Sequence, residues 1–317
     1  MNQAPAAPEA RAPAETDPRF MKRDCPACGH SAREVEVSSR RRAEDMPLEE
    51  VESFWENFTS ENVFFSFARC GNCRLLYAPT FFTNDQLSDL YSSLPANMAV
   101  VPTDAIEATQ RSYLDEVAPL APLDGDYLEI GPDVGHLARQ AARRGKFEKF
   151  WLFEPNQAVH EQLAASTEGR PNHVSTEMTD LSVVPDGSVG LAVMVHVLDH
   201  LIDPVALLRQ VEKKLKPDGR VMIVTHNERS VLRKLMGNKF PPFCLQHPEL
   251  YNPDTITSLL QRVGLKSVTV RRSKNYFPLA FMIRQATSIV GLKLDRLPLP
   301  KTVVGLRLGN MMTIAGR

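Results

Sequence analysis

The sequence predicts an α/β chain, a parallel sheet covered by helices, preceded by a small cysteine-rich module. Three observations carry that prediction. Residues 126–145 (DYLEIGPDVGHLARQAARRG) read as strand, glycine turn and helix, half of a βαβ unit. Short apolar runs and helical stretches then alternate as far as residue 225. Upstream, four of the five cysteines fall in two Cys-x-x-Cys pairs.

The first twenty residues, rich in Ala, Pro and Glu with no continuous apolar segment, are expected to be a disordered tail and not a secretory signal. Residues 21–95 form the module. Cys25-Pro-Ala-Cys28 and Cys70-Gly-Asn-Cys73 are two knuckles in a chain whose expected compartment is the cytoplasm, which predicts a tetrahedral Zn2+ site with four thiolate ligands. A thioredoxin-like redox pair would need a βαβ context that these cysteines lack. Gly29 after the first pair and Gly71 inside the second suit tight knuckle turns. The polar run Ser38–Glu50 is expected as a solvated loop or helix, and its arginines are too mixed with acids to make a nucleic-acid patch. Asp85–Tyr91 reads as a short helix. Residues 96–122 hold a linker, Pro95–Pro102 at its head, and a helix over Ala105–Leu120.

The remaining residues, 123–317, make the sheet domain. Tyr127, Leu128 and Ile130 form a strand buried on both faces. Gly131 and Gly135 let a ligand approach the backbone, and the helix after them presents free amides to an anionic or polar group. Leu137, Ala138, Ala141 and Ala142 share that helix's buried face. Phe150–Phe153 is the next strand and ends at Glu154, placed to accept hydrogen bonds from ribose hydroxyls; the alternative is a strand-end cap in solvent. A helix (Gln157–Ala165), a strand (His173–Ser175), the turn Glu177–Asp180 and the apolar strand Gly190–Val195 follow. Next come a helix over Val205–Leu215, a strand over Arg220–Thr225, a helix over Asn252–Val263 and a strand over Ser267–Arg271. Val303–Ala315 is expected to close the sheet with an antiparallel pair. Leu279–Leu292 carries an apolar stripe at helical spacing, which packs on its own domain, lines an apolar substrate or joins two copies in a homodimer.

Several of these strings carry a resemblance. The spacing Glu129-x-Gly131-x-Asp133-x-Gly135 resembles the acidic-x-Gly-x-Gly-x-Gly loop of class I S-adenosylmethionine-dependent methyltransferases, with Asp133 at the usual middle glycine. His196-Val-Leu-Asp-His200-Leu-Ile-Asp203-Pro204, continuing to LKPDGRVMIVTHN, resembles that family's fourth and fifth strands. CGNCRLLYAP with the helix ending at Tyr91 resembles the N-terminal zinc-binding module of one subgroup, which includes sugar C-methyltransferases and enzymes of polysaccharide pathways. The resemblance implies a Rossmann-like seven-stranded methyltransferase sheet. It implies S-adenosyl-L-methionine at Glu129, Gly131, Gly135, Glu154, Glu177 and Met178, and Zn2+ at Cys25, Cys28, Cys70 and Cys73. It also implies a small-molecule acceptor such as a sugar, nucleotide-sugar or polysaccharide intermediate. Two departures bear on cofactor affinity: Asp133, which as an Asp tolerates a left-handed backbone, and Val189-Gly190, where the family commonly has Phe-Asp.

Ligands of open α/β sheets lie outside the carboxyl ends of the strands. Four of the eight histidines, His196, His200, His226 and His247, fall on or near that rim, where imidazole suits acid–base work near neutral pH. His136, at the helix N-terminus, faces the cofactor or solvent. The stretch Gln246-His247-Pro-Glu-Leu-Tyr251 resembles the Glu-His pair of sugar C-methyltransferases with Gln in place of Glu. That makes His247 the first candidate base and His196 its rival. Two other readings are a zinc-containing RNA methyltransferase and a non-catalytic scaffold. A net charge of −1 without a basic stripe counts against nucleic acid, and no apolar run is long enough to span a bilayer.

Overall fold

In the computed structural model, residues 17–56, 63–92, 102–280, 282–283 and 302–317 are described. The module contains β1 (Phe20–Lys22), β2 (Arg33–Val37), α1 (Leu48–Glu56), β3 (Phe67–Cys70), β4 (Leu76–Tyr77), β5 (Thr80–Phe82) and α2 (Asn84–Ser92). Next is α3 (Thr103–Val117), and then the alternation β6 (Asp124–Ile130), α4 (His136–Arg144), β7 (Lys146–Phe153), α5 (His160–Ser166) and β8 (Asn172–Ser175). The chain crosses back through β9 (Val189–Val195), α6 (Pro204–Lys214), β10 (Leu215–His226) and α7 (Val231–Met236). It ends with β11 (Glu249–Leu250), α8 (Pro253–Arg262), β12 (Lys266–Arg272), β13 (Asn275–Pro278), β14 (Val303–Leu306) and β15 (Asn310–Gly316).

The main sheet has seven strands in the order β12-β15-β10-β9-β6-β7-β8. β15 alone runs against its neighbours β10 and β12. Alternation along the strands explains the two-sided core. Leu128, Ile130, Ala192, Met194, Val221 and Ile223 pack on one face with α6 and α8. Tyr127, Leu191, Val193, Met222 and Val224 pack on the other with α3 and α4. The helices begin where local chemistry allows. Asp203 caps α6 by accepting from the Ala206 amide, with Pro204 in the first turn, and Asn252 caps α8 in a reciprocal box with Thr255. Strand order reverses between β6 and β9, so the crevice opens at their carboxyl ends.

Three expectations need correction. β14 does not join the main sheet: it pairs with β13 in a separate ribbon, and β15 by itself closes the sheet between β10 and β12. The run Ser38–Glu50 is not a solvated loop throughout, because Ala43 and Met46 are buried in the module's aromatic cluster. Phe20, assigned to the tail, opens β1 and pairs with Phe82. Gly71 lies in its knuckle turn as expected, though it is not the left-handed residue there. Arg74 is, at φ 65°, matching Gly29 at φ 72° one residue past the first pair. Gly71 instead lies close to the Ala32 carbonyl, which its own amide reaches at 2.9 Å. Most of the stripe Leu279–Leu292 lies outside the described residues, as do most of the first twenty residues.

The module and the sheet domain share structure. β11 adds antiparallel to β4, making a four-stranded sheet β11-β4-β3-β2. Phe240, Phe243, Leu245 and Leu250 fill the module's aromatic cluster beside Trp55, Phe67, Phe81 and Phe82. Residues 240–250 therefore belong to the module's core although they follow β10 in the chain.

Candidate active site

Three constellations surround the crevice. The first is the turn after β6. Gly131, Asp133 and Gly135 take φ values of 69°, 51° and 78°. Positive φ therefore recurs at every second residue, and the turn's own amides are engaged: Gly131 donates to the Phe153 carbonyl, Asp133 to Glu154 and Gly135 to the Pro132 carbonyl. Asp133 holds the conformation a glycine would hold there. Glu154, at the end of β7, is buried rather than a cap in solvent. Its Oε2 accepts from the Asp133 amide at 2.9 Å and its Oε1 from the Asn156 amide at 3.0 Å. Burial raises its carboxyl above the ordinary range, partly offset by these amides. Glu129 lies deeper, on the strand itself. Its carboxylate accepts from Tyr127 Oη at 2.8 Å, and burial pushes it up to about 8.

Gly131 and Gly135 have packing reasons for being glycine. A Cβ at 131 would stand 2.5 Å from Val197 Cγ2, and one at 135 would stand 2.3 Å from Ser166 Oγ. Gly190 is tighter still, with a Cβ 1.9 Å from the Asp124 carbonyl oxygen. An aspartate cannot occupy that position here, which accounts for one of the two departures. At the end of β8, Glu177 is exposed and bonds to the Thr179 amide and hydroxyl, while Met178 packs half-buried on the sheet core. His136 turns toward α3, with Nδ1 3.8 Å from Glu107.

The second constellation is the histidine cluster, which brings all four rim histidines together. The ring centroids of His196 and His226 are 4.5 Å apart, those of His226 and His247 4.9 Å, and those of His200 and His247 4.5 Å. The hydrogen bonds fix an order. His247 Nδ1 faces the Pro242 carbonyl at 2.8 Å, and since a carbonyl only accepts, Nδ1 donates. His247 Nε2 meets His200 Nε2 at 3.1 Å, and His200 Nδ1 meets Tyr91 Oη at 2.9 Å. Tyr91–His200–His247 is thus a continuous proton chain. His247 is buried, whereas His196, His200 and His226 are each partly exposed.

Electrostatics separate these rings. Burial lowers His200, His226 and His196, the last to about 3, so they are neutral. His247 is the exception: burial pushes it down, but the Cys244 thiol 3.2 Å from Nδ1 more than offsets this, raising it to about 9. Asp199 is fully buried beneath the cluster. Burial would raise its carboxyl, but the 2.6 Å bond from His226 Nδ1 and the surrounding imidazoles hold it well below the usual range. Tyr91, Asp199 and Cys244 were not singled out from the sequence. The odd fifth cysteine was the only available signal among them.

The third constellation is the cysteine cluster. Cys25 and Cys73 Sγ atoms are 3.5 Å apart, and those of Cys28 and Cys70 are 3.6 Å apart. Four sulfurs about 2.3 Å from one tetrahedral ion would be about 3.8 Å apart, so the donor set fits zinc. Two arginines run from this module to acids two residues beyond site histidines. Arg23, two before Cys25, donates to Glu249 at 2.7 Å and to the Pro248 carbonyl at 2.7 Å. Arg69, next to Cys70, donates to Glu228 at 2.9 Å.

Residues 105–270 match a family described as a methyltransferase domain. No curated protein matches the chain. Solved structures similar to it include a chain of the complex between the Haloferax volcanii Trm112 methyltransferase activator and a candidate methyltransferase. That likeness has a TM-score of 0.50 and 13% identity, over 67% of this chain and 92% of that one. A Leishmania major S-adenosylmethionine-dependent methyltransferase gives 0.49 and 13%, over 73% and 81%. One from Archaeoglobus fulgidus gives 0.47 and 16%, over 67% and 94%. The chain belongs to the methyltransferase domain family, on a Rossmann-like seven-stranded sheet. It is an S-adenosylmethionine-dependent methyltransferase. Among the described residues no helix is long and apolar enough to cross a membrane.

Proposed function

We propose that this enzyme methylates a small molecule, a sugar, nucleotide-sugar or polysaccharide intermediate, at an atom that must lose a proton. The observation that carries this reading is the Tyr91–His200–His247 chain just beyond β9, the strand beside the one that ends in the glycine turn. A proton accepted at the Tyr91 or His200 end is delivered at His247 Nε2 only while that ring is neutral, its Nδ1–H held by the Pro242 carbonyl, so turnover should rise with pH toward about 9. His247 acts in this reading through His200, which the sequence did not suggest, and His196 remains the rival base.

The cofactor supplies a methyl group on a sulfonium when bound. The residues present fit it. The start of α4 just past the turn, which has no side-chain cap, would suit a carboxylate, and each Glu154 oxygen keeps a lone pair for a ribose hydroxyl. Glu129 supports that turn from below, and Met178 with Glu177 borders the adenine end. The four thiolates would hold a zinc ion that fastens the module.

The test is transfer of a labelled methyl group from S-adenosylmethionine to candidate sugars and nucleotide-sugars. Glu154→Gln should weaken cofactor binding by calorimetry about tenfold or more, from a hydrogen bond to a charged group worth roughly 1.5–3 kcal/mol. Gly131→Val is a poor probe because it collides with Val197. Label appearing on RNA, or no cofactor binding at all, would replace this reading with one of the two alternatives.

A further inference from the structure

The four clustered histidines differ in what their ring nitrogens meet. Both nitrogens of His247 are taken, Nδ1 by the Pro242 carbonyl and Cys244, Nε2 by His200. Both nitrogens of His200 are taken, by Tyr91 and by His247. His196 Nε2 meets the Asn310 side-chain amide at 3.2 Å, and its Nδ1 is buried with no partner. His226 Nδ1 lies 2.6 Å from Asp199 Oδ2, but its Nε2 is neither buried nor bonded among the described residues.

Asp199 fixes that ring. Its side chain is fully buried, while that of His226 is 22% exposed. Both hydrogen bonds that Asp199 accepts come from His226, one from Nδ1 and one from the backbone amide at 3.2 Å. Burial opposes its charge, yet the His226 bond and the surrounding imidazoles hold Asp199 ionised. An ionised carboxylate only accepts, so the proton of the neutral ring sits on Nδ1 and the lone pair on Nε2. Burial keeps His226 itself below its ordinary value, against the pull of Asp199. A buried carboxylate behind an imidazole sets the tautomer and stabilises the imidazolium formed when a proton arrives.

The place also suits a base. His226 ends β10, next to β9, and the segment after β9 bears on the glycine turn: a Cβ at 131 would meet Val197, between His196 and Asp199 in the chain. The ends of β10 and β6 are two strand spacings apart, about 10 Å. The Tyr91–His200–His247 chain, in contrast, delivers a proton only once His247 is neutral, toward about 9. Near neutral pH that ring already carries its proton.

We propose that His226 Nε2 is the base that takes the acceptor's proton near neutral pH, with Asp199 as its positioning residue. The inference rests on the reading that a small molecule is methylated at an atom that loses a proton. That proton goes to Nε2, the electron pair left behind forms the bond to the methyl carbon, and the carbon–sulfur pair stays on sulfur. The titratable groups around the ring are Asp199, His196 at 4.5 Å and His247 at 4.9 Å between centroids, and His200; Asn310 pairs with it from β15. His196, with one nitrogen on Asn310 and the other buried, is then not the rival base.

The full chain, isotope-labelled at its histidine nitrogens, is followed by NMR. At pH 7 the ring of His226, identified by its loss in His226→Gln, should carry a proton on Nδ1 and none on Nε2. Asp199→Asn should abolish that preference. Turnover is then read by transfer of labelled methyl from S-adenosylmethionine to sugars and nucleotide-sugars. His226→Gln should lower it roughly 100-fold at pH 7 and spare the rise toward about 9 that belongs to His247. Cofactor affinity within a factor of a few reports that the fold is intact. Asp199→Asn should lower kcat without a matching change in KM. The proposal is overturned if the neutral ring carries its proton on Nε2, or if His226→Gln turns over like the unaltered enzyme at pH 7. An unaltered enzyme that methylates none of these acceptors would strike the small-molecule reading instead, and the tautomer would still decide whether His226 can serve as a base.

Discussion

The cysteine site takes its four sulfurs from two short turns in one module, each turn closed within a few residues. The histidine cluster takes its rings from the ends of β9 and β10 and from residues 240–250, which sit in the module's aromatic core. One site is built from two short turns that each carry two ligands. The other exists only when three distant stretches are held in register. Arg23 and Arg69 tie the two, because each leaves a cysteine knuckle and anchors the backbone beside a histidine. The local site therefore serves as a fastening for the non-local one.

Stripping the zinc proposed for the cysteine site is the largest disturbance, since structural zinc contributes apparent folding free energies of about 10–16 kcal/mol in small domains. We expect near-ultraviolet circular dichroism to show loss of the module, with Trp55 exposed, and turnover to vanish. Cofactor binding at the distant glycine turn should persist. If turnover survives without the metal, the fastening is not needed. Arg69→Met comes next. It leaves Glu228 buried with Asn252 and, at 3.9 Å, Arg229 as its remaining side-chain partners, and breaking such a pair costs about 3–5 kcal/mol. Urea unfolding should show that loss, and Glu228→Gln in the same chain should return part of it.

His247→Ala should lower turnover roughly 100-fold while leaving cofactor affinity within a factor of a few. Equal losses in both would mean that the ring only props its segment. The last effect is read against pH, in a group outside both sites. Glu129 keeps its proton in the folded chain up to about 8, against an ordinary value of 4.5. Between those pH values the unfolded chain releases a proton that the folded chain retains, so stability falls as pH rises through that window. The slope is at most about 1.4 kcal/mol per pH unit. Thermal unfolding of Glu129→Gln across pH 5–8 should lack that contribution, with metal content unchanged.

What was legible in the sequence follows the same division. The glycine turn, Glu154, the apolar strands and the two cysteine pairs are read within a few residues, and they stand where expected. Asp133 takes the left-handed backbone that its position requires. The four histidines could be named as candidates from their places at strand ends, but their contacts could not. Tyr91 looked like the end of an amphipathic helix, and its hydroxyl matters only because His200 lies across from it. Gly190 read as a departure, and its cause is the Asp124 carbonyl on the neighbouring strand. Arg23 and Arg69 sat among ordinary surface charges until their distant acids were placed beside them. Ser38–Glu50 misled because its buried residues, Ala43 and Met46, are small in number within a polar run.

The strand β11 has a consequence for how the molecule comes into being. The module's sheet is completed by a segment synthesised only after most of the main sheet. Until then the β4 edge and the faces of Phe67 and Phe81 have no cover from Phe240 and Phe243. A nascent or truncated chain ending before that segment would carry an open strand edge beside exposed aromatics, the combination that invites association with other chains. Such late, long-range closure slows folding. It also makes assembly self-checking: the segment that seals the module carries His247, so a chain left unsealed is also left without its proton acceptor.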